Sequence, residues 1–386
     1  MNILFLYPSE INPQRGGVQN VTYNLSRFFI EHGHSVFFLG FKGEGKINFQ
    51  YFFPENKIHS ATNIRYLETF LKKYHINITI FQCGVSRLYS DWAYCAKKQG
   101  SILISCIHNN LFSSLTYPKG FYESKLKRVH MSFLSSILDN EMINKILKRI
   151  YIYYKRSHYR KLYSKSDAVV LLSDSFKPVF SEISGIKNLE KVHAIPNPIS
   201  LTEIDIHKKE KRILYVGRID TTYKNTDLLL KIWHKLCYRE TEWKLDIVGD
   251  GPELMHLKRY VIENNIINVH FYGFQDPTPY YEKASVFCLT SSSEGFGIVL
   301  VEAMHYGVVP IAFDSFSSVR DIIDDNVNGV LIPPFNIEQY AQELEKLIND
   351  RFKMQRLSLK AKDKAMNFDL NAIGQRWLDL INNIQI

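Results

Sequence analysis

The sequence predicts an α/β protein of two domains, each a mostly parallel sheet covered by helices on both faces. Three observations carry this. Short apolar runs alternate with helical patterns nearly from end to end of the 386 residues. The runs are continuously apolar, as strands buried on both faces are, instead of alternating apolar with polar. The rhythm breaks once, at KVHAIPNPIS, where two prolines flank Asn197 and a charged stretch follows to Lys211.

In chain order the first half offers the strands NILFLYP, VFFLGF, ITIFQC, ILISCIH and AVVLLS. The opening MNILFLYPSE has no basic lead, and its apolar run stops at Pro8 and Glu10, so it reads as a first strand and not as a signal peptide. A helix is expected from Val18 to Glu31, ended by Gly33 in a left-handed C-terminal position. After the break the strands RILYVGR, KLDIVGD, NVHFYGF, VFCLTS, VVPIAF and GVLIP follow. Three helical patterns close the chain, and the last, Asn371 to Ile384, carries Trp377, Leu378, Leu380 and Ile381 for packing on a domain surface. The expected division is 1–200, 201–370 and a terminal helix 371–386, with two Rossmann-like domains facing a central cleft.

Composition narrows the class. At 45% apolar the chain has material for two cores and is not compositionally disordered. No apolar stretch approaches the ~18 residues of a membrane span. The five cysteines are an odd number without a C-x-x-C pair. All but Cys95 fall in apolar or helical stretches, which favours packed, reduced thiols over disulfides or a zinc site.

The net charge of +9 is concentrated in one segment. Lys119 to Lys165 holds twelve basic residues against Glu123, Asp139 and Glu141, a surplus of nine, and the remainder is balanced at 36 of each sign. Within it, KLKRVHMSFL and NKILKRIYIYYKRSHYRKLY interleave Lys and Arg with Tyr, Ile and Leu. A packed face and a solvated basic face is the ordinary reading. The pattern equally suits an anionic membrane surface, where each basic residue contributes about 1 kcal/mol. No nucleic-acid recognition module accompanies the charge.

The stretch SSSEGFGIVLVEAMHYG, residues 291–307, carries the chemistry. Glu302 lies on an apolar helix with no polar face between Gly297 and Met304, an unfavourable place for an acid unless it has partners. A ligand's hydroxyls would supply them. Glu294 precedes it by eight residues, and the Gly-Phe-Gly turn between them brings the backbone close to a ligand. The first helical turn, Gly297 to Leu300, then offers amide N–H groups and the positive end of the helix dipole to an anion. Two hydroxyl acceptors around an anion cradle fit a nucleotide diphosphate sugar.

A second constellation, LYVGRIDTTYK, delivers Arg218 and Lys224 to the loop after a strand, where α/β folds bind ligands and where two cations suit a diphosphate. Taken alone they would be solvated surface charge. Gly16 and Gly17 open a helix after the first strand, and His108 follows the strand ILISCI; each alone is weak and gains weight from its position. No D-x-D metal clamp, P-loop, G-x-G-x-x-G, serine nucleophile elbow or metal-spaced His/Cys cluster is present. Charge on a leaving diphosphate is therefore expected to be offset by Arg218, Lys224 and helix amides without a metal.

With these residues in place, the chain resembles the retaining glycosyltransferases of family four, which have the GT-B fold of two Rossmann-like domains. The resemblance rests on EGFGIVLVE with its two glutamates, GGVQNV, VGR-x5-K at 216–224, VGDGP at 248–252, the YG of HFYGF and NGVLIPP at 328–334. It implies that Glu294 contacts hydroxyls of the transferred sugar and Glu302 holds the ribose. Arg218 and Lys224 would neutralise the diphosphate, and the backbone at Phe296, Gly297 and Ile298 would touch sugar and phosphate. Gly16 and Gly17 would close over the phosphates, and His108 would stand beside the sugar. It further implies a C-terminal helix crossing back to the first domain, retention of anomeric configuration, and no metal or cofactor. The sequence departs from the family pattern at Asn109, at the bulky pair His305-Tyr306 and at the loop DSFSSVRD.

The expected activity is transfer of a hexosyl unit from a nucleotide diphosphate sugar to a saccharide, a lipid-linked cell-surface intermediate handled at the cytoplasmic face of the inner membrane. Two other readings use the same residues. A nucleotide-sugar epimerase would isomerise donor alone, and a non-catalytic sensor would bind donor without turnover.

Overall fold

In the computed structural model the described residues are 1–385 apart from 14–15, 42, 44–46, 59, 109–139 and 202–208. The first half of the basic stretch, 119–139, and most of the charged stretch before Lys211 thus lie outside them. The chain forms two compact units. One takes Met1–Leu111, Arg149–Ser200 and Phe368–Ile386, and the other takes Leu201–Asn367 with the described part of Phe112–Lys148.

The first unit holds seven strands: β1 (Asn2–Leu6), β2 (Ser35–Gly40), β3 (Gln50–Phe52), β4 (Ile78–Phe81), β5 (Ile102–Ile107), β6 (Ala168–Leu171) and β7 (Val192–Ala194). All are parallel, in the order 3-2-1-4-5-6-7. The continuous apolar runs have their reason in two helical layers. Along β1, Ile3 and Phe5 enter one core with Phe28, Phe29 and Trp377, whereas Leu4 and Leu6 enter another with Phe70 and Trp92.

The helix Gly17–Glu31 ends as the sequence implies. Gly33 has φ +80°, its N–H reaches Ile30 O at 3.0 Å, and His34 N–H reaches Phe29 O at 3.0 Å, a Schellman closure. The terminal helix Leu370–Gln385 belongs to this first unit. Ile373, Trp377, Leu380 and Ile381 complete its core, and a Cβ at Gly374 would stand 2.5 Å from the Phe28 ring, so only glycine allows this approach.

The second unit holds β8 (Arg212–Val216), β9 (Lys244–Val248), β10 (Val269–Gly273), β11 (Val286–Leu289), β12 (Val309–Phe313) and β13 (Val330–Ile332). These are again all parallel, in the order β10-β9-β8-β11-β12-β13. Strand order reverses between β8 and β11, which pair through Val286↔Ile213 and Phe287↔Leu214. In open α/β sheets such a reversal is where ligands bind, at the C-terminal ends of the strands.

Three sequence expectations are corrected. KVHAIPNPIS is not wholly interruption, because Val192–Ala194 is β7 and the break starts after it. Strand β3 is additional to the expected set, since its three residues are only half-buried and show no apolar run. Cys95, set apart from the packed thiols, is buried on the helix Arg87–Lys98, and all five cysteines are free. Among the described residues no helix is long and apolar enough to cross a membrane.

Candidate active site

At the C-terminal edge of the second sheet, Asp220 shapes the loop after β8. Its Oδ1 accepts the N–H groups of Thr222, Tyr223 and Lys224 at 3.0, 2.7 and 3.1 Å, and its carbonyl accepts Thr226 N–H at 3.1 Å. Asn225, left-handed at φ +49°, opens the helix Thr226–His234 and donates through Nδ2 to Thr290 O at 3.2 Å. Thr290 Oγ1 donates back to the Lys224 and Asn225 carbonyls at 3.0 Å each, and Ser292 N–H reaches Tyr223 O at 2.8 Å. The loops after β8 and β11 are therefore fastened to each other through side-chain and backbone hydrogen bonds. This places Lys224 Nζ 2.5 Å from Glu294 Oε1, an oxygen that also accepts from Ser291 Oγ at 2.7 Å.

The glycines of VGDGP serve the same edge. A Cβ at Gly249 would lie 1.8 Å from Gly217 O, and one at Gly251 would lie 2.1 Å from Ile219 O. Ile219 N–H bonds Asp250 O at 2.9 Å, so the loop after β9 packs directly against the one carrying Arg218.

Arg218 is not brought into the cluster. Its carbonyl accepts the buried Tyr215 hydroxyl at 2.8 Å, which fixes the backbone, but its side chain is 67% exposed and only 3.9 Å from Asp220 at best. Lys224 and Glu294 form a sheltered pair, and Arg218 stands apart as an arm with an exposed head.

Downstream, Gly297 at φ +93° caps the helix Ile298–His305. Phe296 is buried, with its carbonyl bonded to Ser318 Oγ at 3.1 Å, so its ring belongs to the core and only backbone is available to a ligand. Glu302 is half-buried and accepts the Tyr281 hydroxyl at 3.1 Å. Burial raises its carboxyl above the ordinary value, and the Tyr281 hydrogen bond opposes that. Tyr281 in turn stacks on Tyr306 at 5.6 Å between ring centres and 14° between planes. The bulky residue that departs from the family pattern is thus a prop for the carboxylate's partner.

Gly16, Gly17 and His108 belong to the first unit. Gly16, exposed at φ +126°, caps the helix that Gly17 begins. His108 follows β5 directly, and its Nε2 is hydrogen-bonded to Oε1 of Gln82, the residue following β4. A carbonyl oxygen only accepts, so Nε2 carries the proton and Nδ1 is left as an acceptor. Nδ1 is buried without a hydrogen-bond partner among the described residues. Burial lowers the ring's pKa to about 4, offset in part by the neighbouring Asn197 side chain.

Asp220, Ser291, Tyr281, Tyr306, Gln82 and Asn197 escape the sequence reading. Asp220 had a signal, since an Asp two residues before a polar turn makes an Asx-type loop. Gln82 had a weaker one as a polar residue ending an apolar strand. Tyr281 had none, being 21 positions from the acid it serves.

Two family models match the chain, Glycosyltransferase Family 4 over residues 15–203 and Glycosyl transferases group 1 over residues 198–364. The chain is a group 1 glycosyltransferase. An uncharacterized glycosyltransferase of Haemophilus influenzae is 27% identical over 373 residues, covering 95% of this chain and 96% of the relative. A Campylobacter jejuni α-1,4-N-acetyl-D-galactosaminyltransferase, whose name gives an undecaprenol-diphosphate-linked saccharide as acceptor, is 30% identical over 232 residues, 58% of this chain and 63% of that one. Among solved structures, the lipopolysaccharide outer core galactosyltransferase WaaB in its apo form superposes with a TM-score of 0.70 at 21% identity over 99% of both chains. Anabaena HepE with UDP and glucose superposes with a TM-score of 0.75 at 16% identity, over 99% of this chain and 100% of that one. These likenesses show that this glycosyltransferase has the GT-B fold of two Rossmann-like domains.

Proposed function

We propose that this glycosyltransferase moves a hexosyl unit from a nucleotide diphosphate sugar to a saccharide carried on a membrane lipid, with retention of anomeric configuration and no metal. The Lys224–Glu294 pair carries the reading, because it sets a cation beside a hydroxyl acceptor at a helix N-terminus. Glu294 would accept hydrogen bonds from the sugar, and Glu302 from the ribose diol. The diphosphate would lie against the first-turn amides of Ile298–His305, drawing on Lys224 and the reach of Arg218. Stabilising that leaving group is the main contribution to rate, and the acceptor hydroxyl would attack from the face it vacates. His108, a neutral imidazole, would stand beside the sugar, and Gly16 and Gly17 would cover the phosphates.

The relatives' names support the acceptor class. Besides the undecaprenol-linked case they include lipopolysaccharide 1,6-galactosyltransferases of Salmonella typhimurium and Escherichia coli. A lipid-borne acceptor also suits docking of the basic stretch 119–165 on an anionic inner-membrane surface.

The test is transfer from a panel of UDP-, GDP- and ADP-sugars to lipid-linked oligosaccharides in the presence of EDTA, with the product's anomeric configuration read by NMR. A product of inverted configuration, or activity abolished by EDTA and restored by a divalent ion, contradicts the mechanism. Isomerised donor would favour the epimerase, and binding without turnover the sensor.

A further inference from the structure

The helix Glu141–Lys165 is apolar on two faces. Ile152, Tyr159 and Leu162 are buried on one. On the solvent side Met142, Ile146, Ile150, Tyr153 and Tyr154 are 70, 49, 58, 85 and 69% exposed. Their spacing of four, four, three and one places them in a single stripe. At ~1.5 Å per residue the stripe is roughly 18 Å long. It stops where Ser157 and Ser164 continue the same line. Exposed Lys145 and Arg149 run along one edge, and the helix carries eight basic residues and one acid, Glu141.

Scattered exposed apolar residues are ordinary, but a contiguous stripe marks an interaction surface. Its charge selects the occupant. A second copy of this chain would set eight basic residues against eight. An anionic lipid surface accepts the aliphatic stripe among its acyl chains, tyrosines at the boundary, and Lys and Arg at phosphate level.

We propose that the helix Glu141–Lys165 lies in the plane of an anionic bilayer, with Met142, Ile146 and Ile150 inserted, Tyr153 and Tyr154 at the acyl–headgroup boundary and Lys145 and Arg149 at the headgroups. The proposal leans on the reading above only for its purpose, access to a membrane-borne acceptor. Partition is measured without donor or acceptor, so failure of docking and failure of transfer are told apart.

The experiment is co-sedimentation of the full chain with phosphatidylcholine vesicles, with or without phosphatidylglycerol. The expected result is salt-sensitive binding that needs the anionic lipid. Ile146→Gln/Ile150→Gln/Tyr153→Gln should lower partition by about tenfold or more, and Lys145→Gln/Arg149→Gln by about tenfold at low salt, with Tm unchanged in both. Tyr153→Trp alone should show blue-shifted indole emission on anionic vesicles. No binding, equal binding to neutral vesicles, a triple variant that partitions like the wild type, or unshifted emission from the Tyr153→Trp variant overturns the proposal. So does a dimer that the triple variant dissolves.

Discussion

Lys224 Nζ stands 2.5 Å from Glu294 Oε1, with the two side chains only 24% and 11% exposed. One comes from the loop after β8 and the other from the loop after β11, so their meeting reports the switch point of the second sheet. The cation is already positioned before any diphosphate arrives, and the carboxylate already accepts from Lys224 and Ser291.

Removing that cation should damage both function and fold. Lys224→Ala is expected to lower kcat/KM by about 10²–10³, the loss typical of one leaving-group contact. Among the described residues it also leaves the sheltered carboxylate with Ser291 as its remaining hydrogen-bond partner, which should cost about 1–3 kcal/mol in urea unfolding. Adding Glu294→Gln should recover part of the stability and none of the activity, and a strictly additive double variant would deny the coupling.

Glu302 makes a pH prediction. A carboxyl raised by burial contributes stability in full below its unfolded value of 4.5 and loses it as pH rises through the folded value. Glu302→Gln should therefore gain in Tm relative to the wild type as pH rises from 4.5 toward neutrality. Nucleotide affinity of the wild type should strengthen over the same window, since only the carboxylate accepts from both ribose hydroxyls. Tyr281→Phe removes the opposing hydrogen bond and should move the window upward. Parallel Tm curves for wild type and Glu302→Gln would contradict this.

His108 predicts the opposite limb. A histidine whose pKa is lowered to about 4 contributes stability in full above 6.5 and loses it as pH falls toward 4. His108→Gln should flatten the acid side of the Tm profile, by at most about 3 kcal/mol. Gln82→Glu places a charge at Nε2 and should raise the acid inflection of kcat/KM by about one unit or more. An unchanged inflection in that variant would mean that Gln82 does not set the ring's state.

Gly249→Ala tests the packing beneath the site. Its Cβ would fall 1.8 Å from Gly217 O at a backbone φ of +146°, so the loop carrying Arg218 must shift. Destabilisation of about 3 kcal/mol or more is expected by chemical denaturation. A variant of wild-type stability would show that the loops do not interlock.

Much of this was legible because parallel strands buried on both faces leave continuous apolar runs. Ten of the strands announce themselves that way, whereas the edge strands Gln50–Phe52, Val192–Ala194 and Val269–Gly273 are only partly covered, and the first two show no such run. Glu302 was legible because an acid inside an apolar helix demands a partner, and Glu294 because a Gly-Phe-Gly turn sets it just before that helix. Pairing was not. Sequence put Arg218 and Lys224 together as two cations on one loop, but the fold sends Lys224 to Glu294, 70 positions away, and leaves Arg218 exposed. The aromatic prop of Glu302 was likewise invisible, since Tyr281 and Tyr306 meet only through packing.

The central claim is that the second unit gathers a nucleotide diphosphate sugar at Lys224 and the helix opening at Gly297. Calorimetric titration of UDP-, GDP- and ADP-sugars into the wild type and Lys224→Ala, both in EDTA, tests it most directly. The account predicts that at least one donor binds the wild type without metal, and that the substitution weakens it by about tenfold or more. Failure of every donor to bind, or equal affinity in the variant, would contradict it.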